Sequence, residues 1–349
     1  MTAEHSPFLL SRRQFAAAAM GAGLLASPFR SALAQTPADW DATVAAAKKE
    51  GKLLVYNGSN FPVVKRIAAS VQKQYGITVD VLDGRATEIR ERIRVEQATN
   101  RPAASLTYTG YTTMFLQKQE GAFQPHGDLP NAGKVDKNLA GDGTILLGSV
   151  GLFIMMYNTN LVKPDEAPKS WADLLDPKWQ GKMLSDDYRA AGAGAVWFEA
   201  TYNKFGREFH EKMARQKPVF SRNFPDSERR VARGEYAIYL PFNVSEFITL
   251  RGLPIKAVVP EEGAAYVPFG SAMLKDAPHP NAARVFLNHL LAEEGQTMLA
   301  SEGFRPAVPG FEDKAPPEVA PLVQGNLLGT TTPGRLDEML KLAIEIYGK

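Results

Sequence analysis

Hydroxyl, amide and guanidinium groups recur in five short stretches of this chain. They are Asn57-Gly58-Ser59-Asn60, Arg85 with Thr87, Tyr108 to Thr113, Ser185 with Tyr188 and Arg189, and Tyr239 with Asn243. Such groups suit recognition rather than bond breaking. Hydroxyl and amide donors, helix N-termini and a bidentate arginine together hold a small polar or anionic molecule. The candidate binding residues are therefore Asn57, Ser59, Asn60, Arg85, Thr87, Tyr108, Tyr111, Thr112, Ser185, Tyr188, Arg189, Tyr239 and Asn243, with Tyr111 and Tyr188 as aromatic walls. Each has a structural role open to it as well. Asn57-Gly58 can be a tight turn, and Thr112 and Thr113 can cap a helix. Arg85 and Arg189 can pair with Asp83 and Asp187, and Tyr108 and Tyr239 can fill core. The binding reading predicts that Arg85→Ala or Tyr188→Ala weakens ligand affinity and leaves the fold intact.

Signals for catalysis are weak by comparison. Asp186-Asp187 and Glu261-Glu262 offer carboxylates for acid–base work, but sequence neighbours rarely face one site together. The chain has no G-x-S-x-G elbow, no H-E-x-x-H helix and no phosphate-cradling loop. It has no cysteine, which excludes disulfides, thiolate metal sites and a cysteine nucleophile. The expectation is a binding protein without catalysis or cofactor. An exported enzyme and a sensor input domain are the rival readings, since fold does not fix function.

The elements that position these stretches alternate. Helix from Trp40 ends at Gly51, then strand 52–56, helix 63–75, strand 77–82, helix 88–99, strand 104–108 and a helix to 120 follow. Strand–loop–helix three times implies a parallel sheet with right-handed crossovers. Ligands of such sheets sit at the carboxyl ends of the strands, where the polar loops lie. The pattern resumes with strand 182–184, helices 190–205 and 208–216, a short helix from Asp226, strand 236–240 and a helix to Arg251. Strands from Pro254 and over 266–274 come next, then helices 281–292 and 294–301, with closing helices near 317–324 and 335–347. Between the two alternating regions lies Val150 to Leu184. Its apolar run to Met156 predicts a strand buried on both faces. Pro164 and Pro168 then predict a surface connection, and Ser170 with Asp173 a short helix that Pro177 ends.

The N-terminus has a different character. Ser11-Arg12-Arg13-Gln14-Phe15 precedes an uncharged run from Ala16 to Phe29, and Ala32-Leu33-Ala34 precedes Gln35. This is the layout of a bacterial export signal of the twin-arginine type, cleaved after Ala34. It predicts a periplasmic mature chain. At 349 residues, 44% hydrophobic, 22% charged and a net charge of +2, the composition is that of a soluble globular protein of about two domains, without the basic excess of a nucleic-acid binder.

Four segments carry a resemblance: Tyr157-NTNLVKPDEAPKSWADLLDPKWQGK, Arg233-GEYAIYLPFN, Val259-PEEGAAYVPFGSAML and Ala277-PHPNAARVFLNHLLAEEGQTMLASEGFRP. They resemble the periplasmic solute-binding proteins of ABC importers, in the branch with ferric-ion-, thiamine-, phosphonate- and sugar-phosphate-binding members. The resemblance implies an α/β two-lobed type II fold with two hinge crossings and a ligand cleft between lobes. It places residues 35–150 and 265–349 in the first lobe and 151–264 in the second. It further implies a monomer that hands its solute to a permease and ATPase at the inner membrane. Iron carriers of this branch use a side-by-side tyrosine pair, and this sequence has none; its five histidines avoid the strand-end loops. A polar or anionic organic solute is therefore the expected ligand, with ferric ion as the alternative and no metal site assigned.

Overall fold

The computed structural model describes residues 37–348. The export signal expected over residues 1–34 lies outside the described residues. Helix α1 (Pro37–Glu50) ends where Gly51 turns left-handed at φ 69° and donates its N–H to Ala47 O at 3.0 Å. Then β1 (Lys52–Asn57), α2 (Pro62–Tyr75), β2 (Thr78–Asp83), α3 (Ala86–Ala98), β3 (Leu106–Gly110) and α4 (Tyr111–Gln119) give the three expected repeats. β1 lies between β2 and β3 and is parallel to both.

The buried strand is longer than its apolar run. β4 (Ile145–Asn158) is buried at every position, because it is covered on both faces from its first residue. Ala172–Leu175 and Pro177–Trp179 are 3₁₀ turns, where one short α-helix was expected. Asp173 N–H donates to Ser170 Oγ at 3.1 Å and Ser170 N–H to Asp173 Oδ2 at 3.0 Å, so the expected cap does form. Pro177 follows too soon for the turn to propagate as an α-helix.

A second parallel group follows. β5 (Met183–Asp186) lies between β6 (Val219–Ser221) and β7 (Ile238–Asn243), parallel to both. The helices between them are α5 (Ala193–Arg215), broken at Gly206 where φ is 74°, and α6 (Phe224–Ala232). Val244–Leu250 is 3₁₀ rather than the expected α-helix. β8 (Ile255–Val258) and β9 (Ala264–Met273) complete the crossing region. The rest is α7 (Pro280–Leu290), α8 (Glu293–Ser301), β10 (Arg305–Pro306), α9 (Ala320–Val323), β11 (Leu327–Gly329) and α10 (Leu336–Tyr347). β6, β10 and β11, three residues long at most, were not foreseen.

The main path of the sheet runs β2-β1-β3-β9-β4-β7-β5-β6. Its two parallel groups are therefore joined by two long antiparallel strands, β9 and β4. Ile145 to Phe153 of β4 pair with β9, and Phe153 to Tyr157 pair with β7. Val55, Ile67, Val71, Phe286 and Leu290 belong to the core under the first group; Trp171, Tyr188, Trp197 and Phe198 to the core under the second. A third cluster joins Ile145, Leu152, Phe242, Ala300 and Val323 along the joining strands. No described helix is long and apolar enough to cross a membrane.

Candidate functional site

The three strand-end loops of the first group converge. Asn57, fully buried at the end of β1, donates through Nδ2 to Asp83 Oδ1 (2.8 Å) and Phe61 O (3.2 Å), while its Oδ1 accepts from Ser59 N–H at 3.4 Å. Gly58 N–H donates to Tyr108 O at 2.9 Å, and a Cβ on Gly58 would lie 3.1 Å from Thr109 Oγ1. Asn57 is thus the tie between β1 and β2, and Ser59 and Asn60 form the loop surface above it. Asp83 pairs with Lys65 rather than Arg85. Arg85 and Thr87 are exposed at the start of α3, where Arg85 N–H donates to Glu88 Oε2 at 3.2 Å. Tyr108 is core. Its hydroxyl shares a 3.3 Å hydrogen bond with Ser149 Oγ, and burial pushes its pKa up to about 12.

Tyr111 behaves differently. It opens α4 and, with Tyr266 of β9, lines a pocket of about 480 Å³. Asn138, Asp142 and Thr330–Thr332 complete its polar wall, and Pro268 with Ile145 and Leu147 of β4 its apolar side. Thr112 Oγ1 and Thr331 Oγ1 share a 3.1 Å hydrogen bond. Asp142 holds Lys118, accepts from Thr144 N–H at 3.0 Å and sits below the usual carboxylate pKa despite partial burial. The stretch 330–332 is anchored from the second group: Glu199 of α5, fully buried, accepts from Thr332 N–H at 2.9 Å and lies 3.6 Å from Arg335 Nη1.

In the second group the expected residues are mostly internal. Tyr188, expected as an aromatic wall, is fully buried and stacked on Trp197 with ring centroids 4.6 Å apart. Ser185 is buried and donates to Asp186 O at 3.0 Å. Arg189 Nε donates to Asp187 Oδ1 at 2.8 Å and its guanidinium lies 4.5 Å over the Phe220 ring. Tyr239 is buried and its hydroxyl has no hydrogen-bond partner among the described residues. Asn243 Oδ1 accepts from Ser245 N–H at 3.2 Å, capping the following 3₁₀ turn. Burial raises the pKa of both Tyr188 and Tyr239, which keeps them as phenols. Of the two proposed walls, then, Tyr111 faces a pocket and Tyr188 does not.

Residues outside the candidate binding set share these surroundings. Tyr266, Asp142 and Thr331 meet Tyr111. Asp186 is buried at the end of β5 and accepts from Gly194 N–H at 2.6 Å, with burial pushing its pKa up to about 6. Glu228 of α6 is buried, and burial with Glu246 nearby pushes it up to about 8. A readable signal existed for Glu228, since it shares the apolar face of α6 with Val231 and Ala232. Histidines serve packing: His210 Nδ1 meets Tyr347 Oη at 2.8 Å and His289 Nε2 meets Ser70 Oγ at 2.8 Å. Among the described residues no three His, Asp or Glu side chains converge as a metal site.

Residues 107–326 match the family described as bacterial extracellular solute-binding protein. The iron uptake protein A1 of Synechocystis is 23% identical over 303 residues, covering 80% of this chain and 82% of that protein. The iron-bound HitA of Pseudomonas aeruginosa superposes with a TM-score of 0.67 at 24% identity, over 84% of this chain and 99% of that one. The Trichodesmium IdiA (FutA) structure with iron and citrate gives 0.73 at 20% identity, over 86% and 100%. The fold is accordingly the two-lobed type II binding-protein fold expected from the resemblance. Two parallel groups joined by two long strands, with polar loops at the strand ends, are what that fold requires, and this chain belongs to the bacterial extracellular solute-binding proteins.

Proposed function

We propose that this chain is the solute-capturing component of an ABC importer, non-catalytic and monomeric. It acts in the periplasm after loss of residues 1–34 by the twin-arginine route, and the Arg12-Arg13 leader supports that route. The expected division, residues 35–150 with 265–349 in one lobe and 151–264 in the other with β4 and β9 as the hinge, draws support for its two crossings from the course of those strands between the parallel groups. Its C-terminal end shifts, because Met339 and Ala343 of α10 pack with Trp197 in the core under the second group, so we assign α10 to the second lobe. A ligand bridging both lobes favours the closed state by its differential affinity.

Ferric iron is the ligand that the relatives support best, and the observation that carries it is their naming for iron uptake and iron binding. Tyr111, Tyr266 and Asp142 present oxygen donors around a pocket far larger than one ion. With no convergent set of three His, Asp or Glu among the described residues, iron accompanied by a small organic anion fits this donor set better than the bare ion. The second reading is a polar or anionic organic solute without metal. It is favoured by the lack of an adjacent tyrosine pair and by the burial of Tyr108, Tyr188 and Tyr239.

Thermal unfolding of the mature protein with ferric citrate, with citrate alone and with solutes released from fresh preparations separates these readings. A shift with ferric citrate alone, together with a visible phenolate–iron band, supports iron. A shift with a released metal-free solute supports the second reading. No shift and no released solute would remove solute capture itself.

A further inference from the structure

The parallel strands β5, β6 and β7 end along one edge, where ligands of open sheets sit. Leu184 pairs with Tyr239, and Asp186 lies two residues beyond Leu184, so the Asp186 and Tyr239 side chains share one face of the sheet. Helix α6 covers that face with Ser227, Glu228, Val231 and Ala232 buried. Glu246 comes from the 3₁₀ turn after β7. Tyr239 is 1% exposed and its hydroxyl, within electrostatic reach of Asp186 and Glu228, has no hydrogen-bond partner among the described residues. Glu228, 3% exposed as a residue, makes no hydrogen bond to a described residue. A fully buried hydroxyl without a partner, set beside buried carboxylates, is a costly arrangement for a core that has no ligand to receive.

We propose that Glu228, Asp186 and the Tyr239 hydroxyl form a binding site for an organic cation, an alkylammonium group whose N–H donors meet these oxygens. Glu246 adds negative potential at its rim. The three carboxylates do not converge closely enough for a metal ion among the described residues, but an ammonium group spreads its donors over a wider shell. The charged groups facing the site are Asp187 beside Asp186, Glu246, and Arg222 and Arg229, whose side chains are exposed and screened. Tyr188 is the further phenol nearby. Without ligand, burial holds Glu228 protonated near neutrality; an ammonium group that binds there expels that proton. The inference rests on the solute-capture reading and sides with an organic ligand.

Calorimetric titration of the mature protein with butylamine, diaminobutane and butanediol tests it, in buffers of different ionisation enthalpy. An amine should bind and the diol should not. Affinity should rise about tenfold or more between about pH 6 and about pH 8.5, with proton release. Glu228→Gln should lower affinity about tenfold and abolish that release. Tyr239→Phe, which keeps the core filled, should weaken binding several-fold. No amine binding, unchanged binding by both variants, or binding without proton release would overturn the site. Mass spectrometry of released solute separates this from the wider reading. A released anion or ferric complex overturns the cation site and leaves solute capture standing, whereas a protein that releases nothing and responds to no probe, ferric citrate included, loses both.

Discussion

At the scale of single residues, burial decides which polar groups meet a ligand. Tyr188 and Arg85 were expected to behave alike on substitution, and the structure separates them. Tyr188→Ala should cost about 3–5 kcal/mol by opening a cavity against Trp197 and Phe220. Arg85→Ala, at an exposed position, should stay within about 0.5 kcal/mol of the parent. Urea unfolding of both variants checks the contrast, and equal stability would contradict it. Buried acids carry a pH dependence of definite sign. The folded-state pKa of Glu228 is raised to about 8 and that of Asp186 to about 6, so their contributions are full below the ordinary carboxylate range. Stability is then lost as pH rises through about 6 for Asp186 and about 8 for Glu228, by at most about 1.4 kcal/mol per pH unit for each. Glu228→Gln should flatten the upper part of that decline in unfolding measured between mild acid and mild base. Which loop residues were polar could be read from the sequence; which were buried depended on partners far along the chain, as with Tyr108 against Ser149 and Tyr239 beneath α6.

At the scale of elements, long periodic segments were legible and short ones were not. The three strand–loop–helix repeats and the break of the long helix near Gly206 follow from local pattern and from a glycine at positive φ. β6, β10 and β11 exist only because a neighbouring strand pairs with them, and so small a stretch has no period of its own. The segment after β11 shows how tertiary contact fixes such pieces. Thr331 is held by Thr112 and Thr332 by Glu199, so residues 330–332 form a pocket wall tied to α4 on one side and α5 on the other. Glu199→Ala should leave the Thr332 N–H without its acceptor, at a local cost of about 1–3 kcal/mol. Hydrogen exchange at Thr332 should accelerate well before global unfolding. Protection equal to the parent would mean that Glu199 does not anchor the wall.

At the scale of the whole molecule, the fold class, the two alternating regions and the crossing near Val150 were readable, because an unbroken apolar run bounded by polar turns fits a strand covered on both faces. The ligand was not, because the pocket around Tyr111 draws on residues from five separate segments between 111 and 333. The joining strands are packed to backbone contact. A Cβ on Gly270 would lie 2.1 Å from Leu146 O. Gly270→Ala should therefore force β4 and β9 apart and lower stability by about 1–3 kcal/mol, seen as a lower melting temperature; an unshifted transition would show that the pair can spread freely. Small-angle scattering addresses the proposed lobes directly. Saturating ligand should reduce the radius of gyration, and identical profiles would leave the hinge without a role.

The pairing of β3 with β9 also sets an order of events during synthesis. Leu106 pairs with Met273 and Gly110 with Phe269, so the inner edge of the first parallel group has no partner until the ribosome has made most of the chain. Through that interval β3 presents an unpaired edge of buried residues, which is the form of strand that other chains can add to. The nascent protein therefore depends on late, long-range closure, and its hazard lies in delay rather than in any weakness of the finished core.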